Sequence, residues 1–199
     1  MSQYSSKQLK FIGNVVNNRL TQPVALVGLM GAGKTRLGRL MAKNLDLDFK
    51  DSDQEIEEAA GCSIAEIFEI YGEQGFRDGE QRVMRRLISE GPRIIATGGG
   101  AVMTQSVADM IFANTISIWV KAPLDVMVAR TRRNDRRPLL QTGEPAEDIF
   151  RRLIDQRYPV YEKADIVVHS GDRYEEDPLY QAIDKLYAYL VPDHDTTRE

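Results

Sequence analysis

Five short apolar runs punctuate the chain, and helical patterns fill the intervals between them. Val24-Ala25-Leu26-Val27, opened by Pro23, reads as a buried strand. Leu47 and Phe49 alternate with Asp48 and Lys50, the period of a half-buried strand. Arg93 to Ala96, Ile116 to Val120 and Ile166 to Val168 predict three more. Leu37, Leu40, Met41 and Leu45 recur at helical intervals after Lys34. Ser63 with Glu66 forms a capping-box pair that opens a helix over Ile64, Ile67, Phe68 and Ile70. A longer helix is predicted from about Gln74 to Glu90, stopped by Gly91-Pro92. Further helical patterns cover Ser106 to Phe112, Leu124 to Arg132, Ala146 to Ala164 and Asp177 to Leu190. Strands that alternate with helices imply parallel βαβ units, hence one α/β sheet covered on both faces.

Upstream of the first strand, Leu9, Ile12, Val16 and Leu20 recur at roughly helical spacing. The bland reading is a short amphipathic helix packed on the body, the other a disordered or partner-binding arm. Gly13, Asn14, Asn17 and Asn18 interrupt the apolar residues, so no secretory signal is expected there. Residues 1–22 are read as an N-terminal extension, 23–192 as one domain, and 193–199 as a flexible tail. A chain of 199 residues suits one domain with a full core. No apolar run approaches the ~20 residues that span a bilayer.

Composition narrows the partners. The net charge of −4 argues against a general affinity for nucleic acid or an anionic membrane. Cys62 is the only cysteine, so no intrachain disulfide forms, which suits a reducing cytoplasm. His169 and His194 stand far apart without neighbouring cysteines, which argues against a structural zinc site.

One motif carries clear chemistry. Gly28-Leu29-Met30-Gly31-Ala32-Gly33-Lys34-Thr35 satisfies G-x-x-x-x-G-K-[ST], between a predicted strand and a predicted helix. Glycines there let successive backbone N–H groups form a nest around phosphate oxygens. The helix that follows aims its positive dipole end at the same anion. Lys34 is expected to reach the β- and γ-phosphates, and the Thr35 hydroxyl to ligate Mg²⁺. Nucleotide binding follows from this motif; the reaction does not.

Other features are open when taken singly. Asp51-Ser52-Asp53 closes the second strand, and residues i and i+2 of a strand share a face. Two carboxylates would then point from the sheet's carboxyl end, or the tripeptide is an acidic loop capping the next helix. Arg77 with Glu80 is either a surface i,i+3 pair or an arginine braced to grip a carboxylate. Gly98-Gly99-Gly100, directly after the third strand, allows close approach of backbone to ligand. Five arginines between Arg130 and Arg137 suit a nucleic-acid patch, a solvated helix end, or a lid that closes cations over a triphosphate. The net charge and the phosphate loop favour the lid.

In order, GLMGAGKT at 28–35, DSD at 51–53, GFRDGE at 75–80, GGG at 98–100, RRPLL at 136–140 and the Arg157-Tyr161-Ala164 pattern resemble the shikimate kinase family. The resemblance covers roughly Pro23 to Val168. It implies a three-layer α/β/α sandwich with a five-stranded parallel sheet, like the P-loop nucleoside monophosphate kinases. It implies transfer of the γ-phosphate of ATP to the 3-hydroxyl of shikimate, in a monomer with Mg²⁺. Nucleotide contacts would come from Gly31, Ala32, Gly33, Lys34, Thr35, Arg36, Arg130 and Arg137, with Arg130 stacking on adenine and Arg137 brought in by a lid around 130–145. Asp51 would support the metal beside Thr35. Asp53 would face the shikimate hydroxyls as base or orienting group, Arg77 and Arg157 would pair with its carboxylate, Glu80 would support Arg77, and Gly98, Gly99 and Gly100 would approach the ring. Lys34, Asp53 and Arg137 are the catalytic candidates. The nearest rivals are a gluconate kinase or a nucleoside monophosphate kinase. A GTPase would need an N-K-x-D motif, which the sequence lacks.

Overall fold

The computed structural model describes residues 6–131, 144–171 and 177–192. The order of elements is α1 (Ser6–Arg19), β1 (Val24–Val27), α2 (Lys34–Leu45), β2 (Phe49–Asp51), α3 (Ser52–Ala60), α4 (Ile64–Ser89), β3 (Ile94–Ala96), α5 (Gln105–Asn114), β4 (Ile116–Lys121), α6 (Leu124–Thr131), α7 (Ala146–Tyr161), β5 (Ile166–His169) and α8 (Pro178–Leu190). A single 3₁₀ turn, Ala101–Met103, follows β3.

All five strands are parallel, in the order β2-β3-β1-β4-β5. Helices cover both faces, which gives the expected three-layer sandwich. On one side α1, α2 and α8 pack together; α4 to α7 pack on the other. Strands buried on both faces carry continuous apolar runs rather than alternation. Accordingly every residue of β1 is buried, as is Ile116 to Val120 in β4. β1 lies at the centre, with β2 and β3 to one side and β4 and β5 to the other. The chain's crossing direction therefore reverses beside β1, and open α/β sheets bind ligands outside the carboxyl ends at such a point.

Local signals explain most boundaries. The Ser63 hydroxyl accepts from the Glu66 amide, and Glu66 accepts back from the Ser63 amide, closing the capping box that starts α4. The two helices expected on either side of Gln74 are joined into one kinked element. Gly72 sits at φ 67°, ψ −175°, a conformation available to glycine at little cost. In α1, Ile12, Val16 and the following Leu20 are buried against α2 and α8. α1 lies so close to the end of α2 that a Cβ on Gly13 would stand 2.8 Å from the Asn44 carbonyl oxygen. The N-terminal pattern thus folds as a packed helix.

One expectation is corrected. Asp51 and Asp53 do not share a strand face, because β2 ends at Asp51 and α3 begins at Ser52. The cause is local: the Asp51 carboxylate accepts from the Asp53 amide at 3.1 Å, capping the helix and bending the chain. Both readings of the tripeptide hold in part, since the acidic cap also stands at the sheet's carboxyl end.

Candidate phosphoryl-transfer site

The phosphate loop leaves β1 through Gly28, whose φ of 140° and position against β4 both demand glycine: a Cβ would meet the Val120 carbonyl oxygen at 2.6 Å. The Lys34 ammonium folds back across the loop, donating to the Gly28 oxygen at 2.8 Å and to the Leu29 oxygen at 3.0 Å. Lys34 is buried. A buried cation is costly without hydrogen-bond partners or a counter-charge, and a bound phosphate supplies the latter. Gly31, Ala32 and Gly33 follow at the mouth of α2, while Arg36 is exposed on its first turn.

The Thr35 hydroxyl donates to Asp51 Oδ2 at 2.8 Å. Two hard oxygen groups, a hydroxyl and a carboxylate, therefore touch at the phosphate end of the sheet. That set fits Mg²⁺, which keeps most of its waters and takes one or two protein ligands plus substrate phosphates. Among the described residues no group of three or more His, Cys, Asp or Glu side chains forms a self-sufficient metal cage.

Next to this pair, the buried Ser52 hydroxyl accepts from the Gly98 amide at 2.9 Å, tying α3 to the triple glycine. A Cβ at Gly98 would lie 2.5 Å from Asp53 Oδ1, so the carboxylate rests on that backbone. Gly99 backs onto the phosphate loop, where its Cβ would stand 3.2 Å from the Met30 amide nitrogen. Gly100 faces two guanidiniums: from its Cβ position Arg157 Nη1 is 3.7 Å and Arg77 Nη1 3.9 Å away. Donor loop and paired arginines thus meet across three residues of backbone.

Arg77 is braced on α4 by Glu80, whose Oε2 accepts from Nη1 at 2.9 Å, and by exposed Glu73 at 3.3 Å. Glu80 is only 2% exposed. Burial pushes its carboxyl above the usual range, Arg77 opposes that shift, and the charge of Asp53 adds to it. Arg157 Nη1 and the Tyr161 hydroxyl each donate to the Gly99 oxygen at 2.7 Å. An open cleft of about 560 Å³ beside Arg77 is lined by Glu73, Gln74, Arg77, Met103 and Thr104.

Arg130 Nη1 reaches the carbonyl oxygens of Gly31 and Ala32, each at 3.2 Å, and the Ser170 hydroxyl at 3.1 Å. It stands against the phosphate loop, next to the end of β5. Arg137 and residues 132–143 of the expected lid lie outside the described residues, as does the 193–199 tail. Sequence reasoning overlooked the contributions of Ser52, Ser170 and the Tyr161 hydroxyl. Ser52 carries no signal of its own between two aspartates, and Tyr161 enters only as part of the Arg157-Tyr161-Ala164 pattern. Nothing local marks Ser170, which is brought to Arg130 by the pairing of β4 with β5.

Comparison with known proteins agrees with this geometry. The shikimate kinase family model matches residues 30–187. The chain is 42% identical over 190 residues to a shikimate kinase of Paramagnetospirillum magneticum, covering 96% of this chain and 97% of that one. It is 52% identical over 149 residues to a shikimate kinase of Nitrobacter winogradskyi, covering 75% and 69%. A solved shikimate kinase of Acinetobacter baumannii, in complex with shikimate, superimposes with a TM-score of 0.77 at 32% identity, covering 96% of this chain and 99% of that one. The enzyme of Aquifex aeolicus gives 0.69 at 30% identity, over 85% and 97%. By sequence, by fold and by the arrangement around its phosphate loop, the chain belongs to the shikimate kinase family.

Proposed function

We propose that this chain transfers the terminal phosphate of ATP to the 3-hydroxyl of shikimate, giving shikimate 3-phosphate and ADP. The observation that carries the reading is the convergence of Arg77 and Arg157 on Gly100, on the far side of the glycine wall from the phosphate loop. A carboxylated polyol needs cations at one end and a carboxylate at its hydroxyl end. Arg77 and Arg157 supply the first, Asp53 the second.

The acceptor oxygen attacks the γ-phosphorus in line, the bond to the β–γ bridging oxygen breaks, and ADP leaves. Asp53 orients the attacking hydroxyl or takes its proton. Lys34 exchanges its loop carbonyls for the β- and γ-phosphates, bringing positive charge to oxygens that grow more negative in the transition state. Arg130, beside Gly31 and Ala32, stands where the nucleotide enters. Glu80 fixes Arg77, so the acceptor is held against the donor at little further entropic cost. Thr35 and Asp51 would hold Mg²⁺, which when bound neutralises phosphate charge. We infer a monomer acting in the cytoplasm, without a nucleic-acid or membrane partner. The net charge of −4 and the lone cysteine favour this, and no helix among the described residues is long and apolar enough to cross a membrane.

The test is ADP release with shikimate, gluconate and nucleoside monophosphates offered separately. Turnover with shikimate alone is expected; turnover with either rival and none with shikimate refutes the assignment. Asp53→Ala should depress kcat with ATP affinity nearly intact, whereas Arg77→Ala should mainly raise the KM for shikimate. Near-normal turnover in Asp53→Ala would remove that residue from the mechanism.

A further inference from the structure

The Gly99 carbonyl is the point where the two halves of the site are fastened together. On its inner side the residue lies against the phosphate loop, its Cβ position 3.2 Å from the Met30 nitrogen and 3.8 Å from the Gly28 oxygen. On its outer side the oxygen takes two short hydrogen bonds, from Arg157 Nη1 and from the Tyr161 hydroxyl. These donors differ in kind. The guanidinium ends a long, rotatable side chain that also stands within 4.0 Å of the Gly100 Cβ position, beside Arg77. The phenol ends a two-torsion side chain that is 1% exposed. Its ring leans on Trp119, with centroids 5.9 Å apart, and on Tyr158 at 6.3 Å. Tyr158 meets Trp119 edge-on at 4.8 Å, and the Lys121 ammonium stands 4.6 Å from the Trp119 centroid. Packing leaves the Tyr161 hydroxyl one place to be.

We propose that Tyr161 is a positioning residue for the acceptor: its hydroxyl holds the Gly99 carbonyl so that Arg157 can turn onto a carboxylate without stripping that oxygen of its hydrogen bond. A partly buried carbonyl left without a donor is penalised more than a made hydrogen bond is rewarded. With Tyr161 in place, capture of a carboxylate by Arg157 leaves the glycine wall where it was, still against the phosphate loop. Without the hydroxyl, Arg157 must choose between the wall and the acceptor. Burial, opposed by the neighbouring Arg157 guanidinium, leaves the phenol's pKa pushed up to about 12, so the donor persists over the range in which kinases work. The proposal rests on the reading that Arg157 pairs with the acceptor carboxylate.

Tyr161→Phe tests it with near-isosteric replacement. The expected result is a three- to tenfold rise in the KM for shikimate, the range of one net hydrogen bond. ADP affinity by calorimetry and Tm should stay near the parent values, because without shikimate Arg157 still donates to the Gly99 oxygen and Lys34 keeps its bonds to the Gly28 and Leu29 oxygens. In an Arg157→Ala background the same change should have no further effect on shikimate binding. If Arg157→Ala by itself leaves shikimate binding unchanged, the carboxylate reading has failed and the proposal with it. If Arg157→Ala weakens binding but Tyr161→Phe leaves KM unchanged, adds its effect independently, or weakens ADP equally, Tyr161 is a structural residue only and the proposal is overturned. A measurement on the unsubstituted chain stands beside these, should the phenylalanine variant not fold. With tyrosine labelled at ¹³Cζ, the deuterium isotope shift reads hydroxyl exchange at Tyr161. Slow exchange that survives saturation with shikimate is expected; acceleration on saturation overturns the proposal.

Discussion

Adding one methyl group at Gly98 should separate catalysis from stability in this enzyme. The Cβ of Gly98→Ala would lie 2.5 Å from Asp53 Oδ1, about 0.9 Å inside ordinary contact, which begins near 3.4 Å. Backbone strain does not enter, because Gly98 is not among the residues at positive φ. Of the two parties to the clash, the one that yields is the end of the half-buried Asp53 side chain. Rotating it off its preferred rotamer costs about 0.5–1.5 kcal/mol. At ~2–4 °C per kcal/mol for a chain of this size, Tm should fall by no more than about 6 °C. Catalysis is more exacting, since a misplacement of ~1 Å can lower the rate by about 10²-fold. The expectation is thus a kcat near one hundredth of the parent value, ~2.7 kcal/mol in the barrier, with ATP affinity preserved. A coupled assay of ADP release, calorimetric titration with ADP and a thermal melt measure the three quantities. Gly79→Ala is the matched control. Nothing but its own helix lies within 4 Å of the Cβ it would gain, so that mid-helix change should raise stability by about 0.5–1 kcal/mol and leave kcat alone. A Gly98→Ala enzyme with kcat within about threefold of the parent would refute the argument that Asp53 must rest on this backbone. So would a loss of kcat that merely tracks unfolding.

Two further outcomes concern other parts of the molecule. Burial raises the pKa of Glu80, so the stabilisation tied to its proton is complete below the unfolded value near 4.5 and is lost as pH rises through the higher folded value. Glu80→Gln should flatten that slope in pH-dependent melts. In kinetics, KM for shikimate should rise on acidification as the carboxylate bracing Arg77 is neutralised, with an onset above the ordinary glutamate range and absent from the glutamine variant. Ile12→Ala, in the buried stripe of α1, should destabilise by about 2 kcal/mol and lower Tm by roughly 4–8 °C, with kcat at 25 °C unchanged. A melt within 1–2 °C of the parent would mean that α1 contributes little to the fold.

Much of this protein is written locally. The strand–loop–helix of the phosphate site is one unbroken stretch, Val24 to Leu45, and the capping box at Ser63 spans four residues, so propensity and local hydrogen-bond chemistry decide both. So the loop from Gly28 to Thr35 could be assigned its partner, a nucleotide phosphate, from sequence. The turn at Asp51 is also local, yet the sequence leaves it open between a strand end and a helix cap. Side-chain capping outcompeted strand continuation there, and alternation of polar and apolar residues does not register that competition.

The side that holds the paired arginines is different in kind. Arg77 and Arg157 are eighty positions apart in the sequence, yet both stand within 4 Å of the Cβ position of Gly100. Arg130 reaches Gly31 and Ala32 from nearly a hundred positions away, and Ser170 joins it only because β5 pairs with β4. Such meetings follow from the strand order β2-β3-β1-β4-β5 and from helices packed against that sheet. Apolar runs state that a strand is buried but not which neighbour it will take. Motif order identified the family, and with it the arginines and glycines proposed for the site. Tertiary structure decided that the glycines form a wall between the phosphate loop and the two arginines, and that the Ser52 and Tyr161 hydroxyls bond its backbone. A hydroxyl on a buried side chain carries no periodic or compositional signature; its role exists only once the fold has delivered the backbone group it meets.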